Sequence, residues 1–411
     1  MMRYLILLLI GMYAITYQAH GQMTFSIEGY LATALEDQAL ERYRAQKQFL
    51  SDNNYNSPWL NRVELRVGSE DANASLNEYR LRLSPTNPAE IKANKIYYNQ
   101  HLESLTTKHQ IVLNEALKNR YLMVIDLIDL TQQEKYLSKR IQLEEKILQN
   151  NAQQGMELKD IIVFQSNQTK HLLQHQEIKT QSLVTRYYIG LDYGISDTLT
   201  IDTDHLITVA QIKHYLTSTA LADHQNLAII EAEQELALNQ QMLKIDKAEA
   251  RSNIGYIQGN IDTERGADIN DHLGFQVGIR LPIVNPDKPK LNRDRVKLID
   301  EAAKVEATKS LVQNESKLNT LQLDAWIAQY EMLRQRQALA QKIQVNANIA
   351  VDWAELSKLK NYHLDLDMEL AQLEKKIRIA FIEYLDQKGL LANSPLINYL
   401  SRDFQPIINR N

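Results

Sequence analysis

The chain has 411 residues, a formal net charge of -5, no cysteine, and only 13 glycines and 8 prolines. So few helix-breaking residues, in a chain rich in Leu, Gln, Lys, Glu and Ala, favour long helices over the compact α/β layers of ordinary domains. The lack of cysteine excludes disulfides and a lipid-modified N-terminal cysteine as a membrane anchor. The weak negative charge gives no basic field of the kind that a nucleic-acid-binding protein needs.

Residues 1–21 have the pattern of a secretion signal. Arg3 supplies the positive charge, residues 4–17 form an apolar stretch, and residues 19–21 form a small-residue cleavage site. A membrane anchor is the alternative, but the apolar run is short for the roughly 20 residues that span a bilayer. We therefore expect a signal peptide and a mature chain that begins near Gln22.

A helical pattern from about residue 24 to residue 50 is followed by a change to a period of two. Apolar and charged residues alternate in two runs within 59–84, on either side of a turn-like segment at 68–75. This pattern predicts a β-hairpin. The apolar set is Val63, Leu65, Val67, Tyr79, Leu81 and Leu83, and the charged set is Arg62, Glu64, Arg66, Glu78, Arg80 and Arg82.

The surroundings of this hairpin favour a membrane. A soluble hairpin packed on a core would show the same alternation, but the flanking segments are long polar helices that offer no core. A two-stranded hairpin alone is marginally stable in water. Strands of about 9–11 residues with one apolar and one polar face are the elements of transmembrane barrels. We therefore expect the apolar set to contact lipid and the charged set to face water.

A very long helix follows the hairpin. Residues 88–154 contain neither glycine nor proline after Pro88, which suits the first helical turn. At about 1.5 Å per residue, such a helix reaches roughly 100 Å. We expect a tight reversal at Gly155, a return helix at 158–188 and a looser segment to residue 204.

The chain then repeats this plan. The segment Leu81-Arg-Leu, followed after three residues by Asn-Pro88, recurs as Ile279-Arg-Leu and Asn-Pro286, which is 198 positions later (279 minus 81). Breaks between helical patterns recur at the same offset, since the dipeptide Glu-Leu lies in such a break at 157–158 and again at 355–356. We therefore predict one unit written twice, over residues 22–204 and 205–389.

The second unit is expected to contain a helix at about 206–250, a β-hairpin at about 253–283, a long helix at 287–354 and a return helix to 388. The last strand of this hairpin alternates cleanly, whereas its partner alternates poorly. Residues 390–411 are interpreted as a C-terminal tail on the surface.

Apolar residues in the second long helix recur every seven positions. A sustained heptad pattern predicts packing against partner helices along a seam. The pattern comprises Leu311, Leu318, Ala325, Met332 and Leu339, with Val312, Trp326, Leu333 and Ala340 beside them.

Taken together, the signal peptide, the duplicated unit, the hairpins, the long helices and the return helices resemble the TolC-like outer-membrane efflux proteins. The most specific piece is the segment GFQVGIRLPIVNP at 274–286 with the helix behind it, which is similar to the family's final strand and its exit. The segment 155–160 is similar to the family's helix-tip turn. The second tip departs from the family, because Ala354 stands where a glycine is expected.

The resemblance implies a mainly α-helical homotrimer with a small membrane β part. Each chain would supply four strands to one 12-stranded trimeric β-barrel in the outer membrane, and the coiled-coil helices would form a trimeric α-barrel that extends into the periplasm. Its tip would dock a periplasmic adaptor (a membrane fusion protein) and an inner-membrane transporter. Four strands cannot enclose an aqueous lumen, and strand edges in a bilayer must be paired, so trimerisation makes physical sense.

Two groups of candidate site residues follow from the resemblance. The first would line the barrel lumen: Glu64, Arg66, Glu78, Arg80, Arg82, Gln276 and Arg280. The second would form the periplasmic tip or gate, where the family has acidic residues that constrict the channel and bind cations: Gly155, Asp160, Asp365 and Asp367. Solvated helix-surface charges, or salt bridges with nearby lysines, are the alternative for these acids.

The sequence gives no indication of catalysis, since it contains no P-loop, no G-x-G-x-x-G, no G-x-S-x-G and no H-E-x-x-H. His171 and His175 lie one helical turn apart, but no third metal ligand is evident nearby, so neither a metal nor a cofactor is expected. The leading hypothesis is a passive outer-membrane exit duct of an efflux or export system. The alternative is a periplasmic coiled-coil scaffold or adaptor without a pore; a secreted helical pore-forming protein is disfavoured by the lack of a strongly apolar element.

Overall fold

The structure of the protein is a computed structural model that describes ten stretches of the chain. They are residues 26–53, 58–69, 77–152, 158–194, 205–218, 226–251, 254–263, 273–279, 287–347 and 353–407. The expected signal peptide at 1–21 lies outside the described residues.

Long helices dominate the described stretches, and the β structure is one small sheet. The helices are α1 (Ile27–Ala32), α2 (Gln38–Asp52), α3 (Pro88–Ala152), α4 (Leu158–Tyr193), α5 (Val209–Ser218), α6 (Leu227–Ala250), α7 (Lys288–Ala347) and α8 (Trp353–Gln387), with a 3₁₀ turn at Thr33–Glu36. The strands are β1 (Leu60–Ser69), β2 (Asn77–Pro85), β3 (Ile254–Thr263) and β4 (Leu273–Ile279). The predicted fold class, mainly helical with a small antiparallel β part, is confirmed.

The first long helix begins where proline chemistry predicts. Pro88 is its first residue, and the side-chain Oδ1 of Asn87 accepts a hydrogen bond from the Ala89 amide at 3.0 Å. This cap satisfies one of the amides that a helix start leaves without a partner. None of the helices in the described stretches is apolar over a length that would cross a membrane.

The helix predicted for residues 24–50 is interrupted. A 3₁₀ turn separates α1 from α2, and Asp37 between them has extended backbone (φ -60°, ψ 130°). Arg120 of α3 donates to the side chain of Thr33 at 2.9 Å and to its carbonyl at 3.3 Å, and its guanidinium lies 3.3 Å from the Asp37 carboxylate. The break therefore forms where an arginine distant in the sequence binds the backbone, a contact that periodicity does not reveal.

The chain divides into two compact units, each built from separated segments. One consists of the described parts of Met1–Gln38, Val112–Asp223 and Asn314–Asn411, and the other of Ala39–Ile111 and His224–Gln313. Each compact unit contains segments from both predicted repeats. The two units therefore do not correspond to the two repeats, and the duplication stays a prediction.

The prediction of a surface tail is wrong. Leu391 and Leu400 are 1% and 0% exposed, and Asn398 is fully buried. The hydroxyl of the buried Tyr121 donates a hydrogen bond to the Ile397 carbonyl at 2.7 Å and accepts one from the Tyr399 amide at 3.1 Å. The tail is held because these backbone groups find partners on α3, which its irregular sequence does not indicate.

Candidate functional site

Antiparallel pairing in the order β1-β2-β3-β4 places most of the expected lumen residues on one face of the sheet. Residues opposite each other in adjacent strands point to the same face. Glu64 lies opposite Arg82, and Arg66 lies opposite Arg80. The row that contains Arg82 continues through Gln258 of β3 to Gln276 of β4. We name this surface the polar face.

Two of the expected lumen residues need separate mention. Glu78 also belongs to the polar face, opposite Gly68 at the loop end of the hairpin. Arg280 follows the last residue of β4 and lies outside the described residues. The strand pairing shows that these residues share one face of the sheet. That this face lines a lumen is a proposal.

The opposite surface of the sheet, which we name the apolar face, is exposed in the single chain. Ten of its large side chains are between 41% and 73% exposed. Exposed apolar patches of this kind mark contact with a partner or a membrane. These ten are Val63, Leu65, Val67, Tyr79, Leu81, Ile261, Leu273, Phe275, Val277 and Ile279, and the half-buried Leu83 and Ile257 complete the face.

Both outer strands have an open edge. β1 pairs with β2 and β4 pairs with β3, and no other strand in the described part of the chain pairs with either of them. An open edge presents a row of backbone N–H and C=O groups that a further strand can bind.

Sequence reasoning missed the contribution of β3 to the polar face. Arg82 donates from Nε to Oε1 of Gln258 at 2.9 Å, and its guanidinium carbon lies 4.0 Å from the centre of the Tyr256 ring. Gln258 in turn donates to Asn260 at 2.6 Å. The sequence does not assign these residues to a face because Gly259 interrupts the apolar alternation of β3. The pairing of β3 with β2 and β4 shows on which face each side chain lies.

The expected gate acids of α8 contact different helices. Asp365 accepts from Nη1 of Arg140 on α3 at 2.5 Å, and Asp367 accepts a hydrogen bond from the side chain of Gln337 on α7. Both acids thus have partners within the chain. Gly155 lies outside the described residues, and Asp160 falls in α4 at a position whose side chain is not described.

The histidine pair of α4 is held by α3. His171 Nδ1 lies 2.8 Å from the Glu144 carboxylate, and His175 Nε2 lies 3.0 Å from the hydroxyl of Ser138. The described residues contain no group of three side chains arranged to hold a metal ion. Each imidazole therefore has a hydrogen-bonding partner on the neighbouring helix.

A buried ion pair that the sequence does not reveal joins α3 to α8. Asp129 is only 3% exposed and accepts from Lys375 Nζ at 2.9 Å and from Gln133 at 2.8 Å. Asp126 lies at 2.9 Å from the same lysine. Burial lowers the pKa of Lys375, but its hydrogen bonds to the two aspartates outweigh burial and raise the pKa above the ordinary value.

The fold is similar to that of solved bacterial outer-membrane proteins. CusC, whose crystal structures concern folding and transmembrane channel formation, matches with a TM-score of 0.64 at 12% identity, over 89% of this chain and 92% of CusC. The outer membrane protein VceC of Vibrio cholerae matches with a TM-score of 0.63 at 11% identity, over 88% and 96%. The open state of the MtrE outer membrane channel of Neisseria gonorrhoeae matches with a TM-score of 0.62 at 12% identity, over 92% and 90%.

No protein-family model matches the sequence, and no curated protein matches it. Identities this low establish the fold alone. The sheet with its two contrasting faces, the long helices and these similarities together show that the chain has the fold of outer-membrane channels, as its resemblance to the TolC-like proteins predicted.

Proposed function

We propose that the protein is a passive exit duct in the outer membrane of a bacterium, and that three copies form it. The observation that carries this proposal is the sheet, whose apolar face is exposed while its other face is polar and charged. In water, such an apolar surface is costly, because each exposed Å² of apolar area costs roughly 25 cal/mol. In a bilayer, the same surface is favourable.

Trimerisation closes the sheet. In a membrane, an unpaired strand edge is prohibitively costly because no water satisfies its backbone groups. Pairing β4 of one copy with β1 of the next would satisfy both open edges, and three copies would give twelve strands. The polar face would then line the lumen, and the apolar face would contact lipid.

The helices also offer a surface for a second copy. The predicted heptad residues Leu311, Leu318, Met332 and Leu339 of α7 are 48–60% exposed in the single chain. Other residues of α7 pack inside the chain instead, among them the buried Leu323 and Ile327. The heptad seam is therefore available for a neighbouring copy. A matching exposed apolar set lies on α4: Leu172, Leu173, Leu183, Val184, Tyr187 and Leu191.

In this proposal the duct serves an efflux or export system. A periplasmic adaptor and an inner-membrane transporter would supply the energy and open the channel, since a duct moves solutes only by lining their path. The similarity to outer membrane channels supports the placement in the outer membrane and the role as a channel. The alternative, a periplasmic scaffold without a pore, would need a protein partner to cover the apolar face, whereas the duct places that face against lipid.

The proposal is tested by purifying the protein in detergent, measuring its mass, and recording its conductance in planar bilayers. We expect a trimer that gives discrete conductance steps. Replacing Leu318 and Met332 together by glutamate should shift the mass toward the monomer and abolish the steps, because the charges would prevent packing of the seam. The matched control is Gln322→Glu at an exposed position of α7 outside the heptad set. A monomer without conductance in the wild type would refute the duct.

The contact between Asp365 and Arg140 makes a specific prediction for gating. Asp365→Arg would place two cations together where a 2.5 Å ion pair now joins α3 to α8. We expect the helix ends to separate and the conductance without adaptor to rise. The double swap Arg140→Asp with Asp365→Arg should restore the low conductance, and Glu369→Arg, at a nearby exposed position, should leave it unchanged. Equal conductance in Asp365→Arg and the wild type would remove this pair from the gate.

A further inference from the structure

Positive charge is concentrated in the middle rows of the polar face. Arg66 lies directly opposite Arg80, and Arg82 lies in the adjacent row. Like charges placed opposite each other in a sheet destabilise it unless other groups compensate them. Glu64 compensates part of this charge, because its Oε1 lies 2.7 Å from Arg62 and its Oε2 lies 2.9 Å from Arg66.

The other described acid of the polar face, Glu78, lies at its loop end. Glu78 pairs with Arg80 and occupies the row of Asp262. Among the side chains described on the polar face, four are arginines (Arg62, Arg66, Arg80 and Arg82) and two are acids (Glu64 and Glu78). Glu64 is paired with Arg62 and Arg66, and Glu78 with Arg80, so the excess of positive charge among the described residues lies at Arg82.

Arg82 is held in place by neutral groups. Its Nε donates to Gln258 at 2.9 Å, and its guanidinium lies over the ring of Tyr256, 4.0 Å from the ring centre. Gly278 makes room for that ring, since a Cβ at this position would lie 2.3 Å from a ring carbon of Tyr256. Both oxygens of Glu64, the residue opposite Arg82, are directed at other arginines.

We propose that the polar face is an anion-selective surface, and that Arg82 contacts the carboxylate, sulfonate or phosphate group of solutes that pass along it. This inference rests on the proposed function, in which the polar face lines the lumen. Three copies would place three such arginines around the path. The substrates of the duct are accordingly organic anions.

The chemistry of the guanidinium fits this role. It is always charged, and its planar fork of donors matches the two oxygens of a carboxylate or phosphate. Within the described part of the chain, stacking on Tyr256 and the bond through Nε leave the Nη groups of Arg82 as the donors for a ligand. An arginine that is already fixed by its neighbours loses little side-chain entropy when it binds a solute. Rings of arginine or lysine are the usual selectivity filters of anion pores. The contact must also be weak enough to release the solute.

The test is the reversal potential of the trimer in a planar bilayer under a KCl gradient, together with block by benzenesulfonate. We expect the wild type to prefer chloride. Arg82→Gln should move the reversal potential toward the potassium side and weaken the block roughly tenfold, as expected for the loss of one charge-assisted contact. Arg82→Lys should keep the reversal potential but weaken the block, because lysine carries the charge without the fork.

The control is Arg62→Gln, which removes the same charge from a side chain that is paired with Glu64 and 71% exposed. It should leave the block unchanged. A channel that conducts but prefers potassium, or in which Arg82→Gln changes neither quantity, would overturn the anion filter while leaving the duct standing. A protein that forms no channel at all would instead overturn the proposed function.

Discussion

Replacing Lys375 by methionine is expected to lower the apparent free energy of unfolding by about 3–5 kcal/mol, the range for breaking a buried ion pair from one side. The physical reason is Asp129, which is 3% exposed and would keep a buried charge without its cation. Among the described residues, Gln133 then remains as the hydrogen-bond donor to this carboxylate. Thermal denaturation in detergent and amide hydrogen exchange along α3 measure the loss.

Two variants separate charge from packing in this experiment. Lys376→Met changes the adjacent, exposed lysine and should have little effect. Asp129→Asn combined with Lys375→Met should recover most of the stability, because a neutral amide can be buried at lower cost than a carboxylate. A stable Lys375→Met single variant would show that the pair contributes nothing.

The same lysine gives the wild type an alkaline dependence of stability. Since the pKa of Lys375 is raised in the folded chain, its contribution is fully present below the ordinary pKa of 10.5. It is lost as the pH rises through the raised value, because the folded state then releases the proton that it had held more tightly. The difference in stability between the wild type and Lys375→Met should therefore shrink above about pH 10.5. A constant difference across this range would argue against the ion pair.

In the proposed duct, replacing Val277 by arginine is expected to prevent insertion of the sheet into the membrane. Val277 lies on the apolar face near the middle of β4, opposite Ile257. An arginine on the lipid face of a barrel costs about 2–4 kcal/mol at the centre of the bilayer, and each trimer would carry it three times. We expect less protein in the outer-membrane fraction and, in detergent, a lower share of the proposed trimer.

The matched control is Gln276→Arg, one residue earlier on the same strand and on the opposite face. It should fold and insert like the wild type, because its charge would face water, and it should strengthen the preference for chloride. Equal assembly of both variants would contradict the assignment of the apolar face to lipid. Failure of both would show that β4 tolerates no arginine on either face.

The first hairpin was predictable because its strands alternate strictly. Each residue of β1 and β2 has its face decided by the period of two, so the shared surface of Glu64, Arg66, Arg80 and Arg82 followed from the sequence. β3 does not obey the same pattern. The position of Tyr256 on the polar face depends on the register against two neighbouring strands, which no local pattern determines.

The heptad pattern of α7 shows a similar division. Of the seam that the sequence indicated, Leu311, Leu318, Met332 and Leu339 stay exposed, whereas Ala340 is buried. The chain also packs on itself through residues outside the pattern, including Leu323. A long helix carries more than one apolar stripe, and periodicity alone does not tell which one the same chain covers.

The sequence alone determined the long helices, the strand faces of the first hairpin and the similarity to outer-membrane channels. These features depend on hydrophobic periodicity and on the positions of the helix-breaking residues proline and glycine, which act locally. Only the tertiary structure decided the buried tail, the contact of Arg82 with Tyr256 and the pair of Asp129 with Lys375, residues that lie 246 positions apart. Burial and ion pairing depend on which elements meet in space, and that is settled by packing across the whole chain rather than by neighbours in sequence.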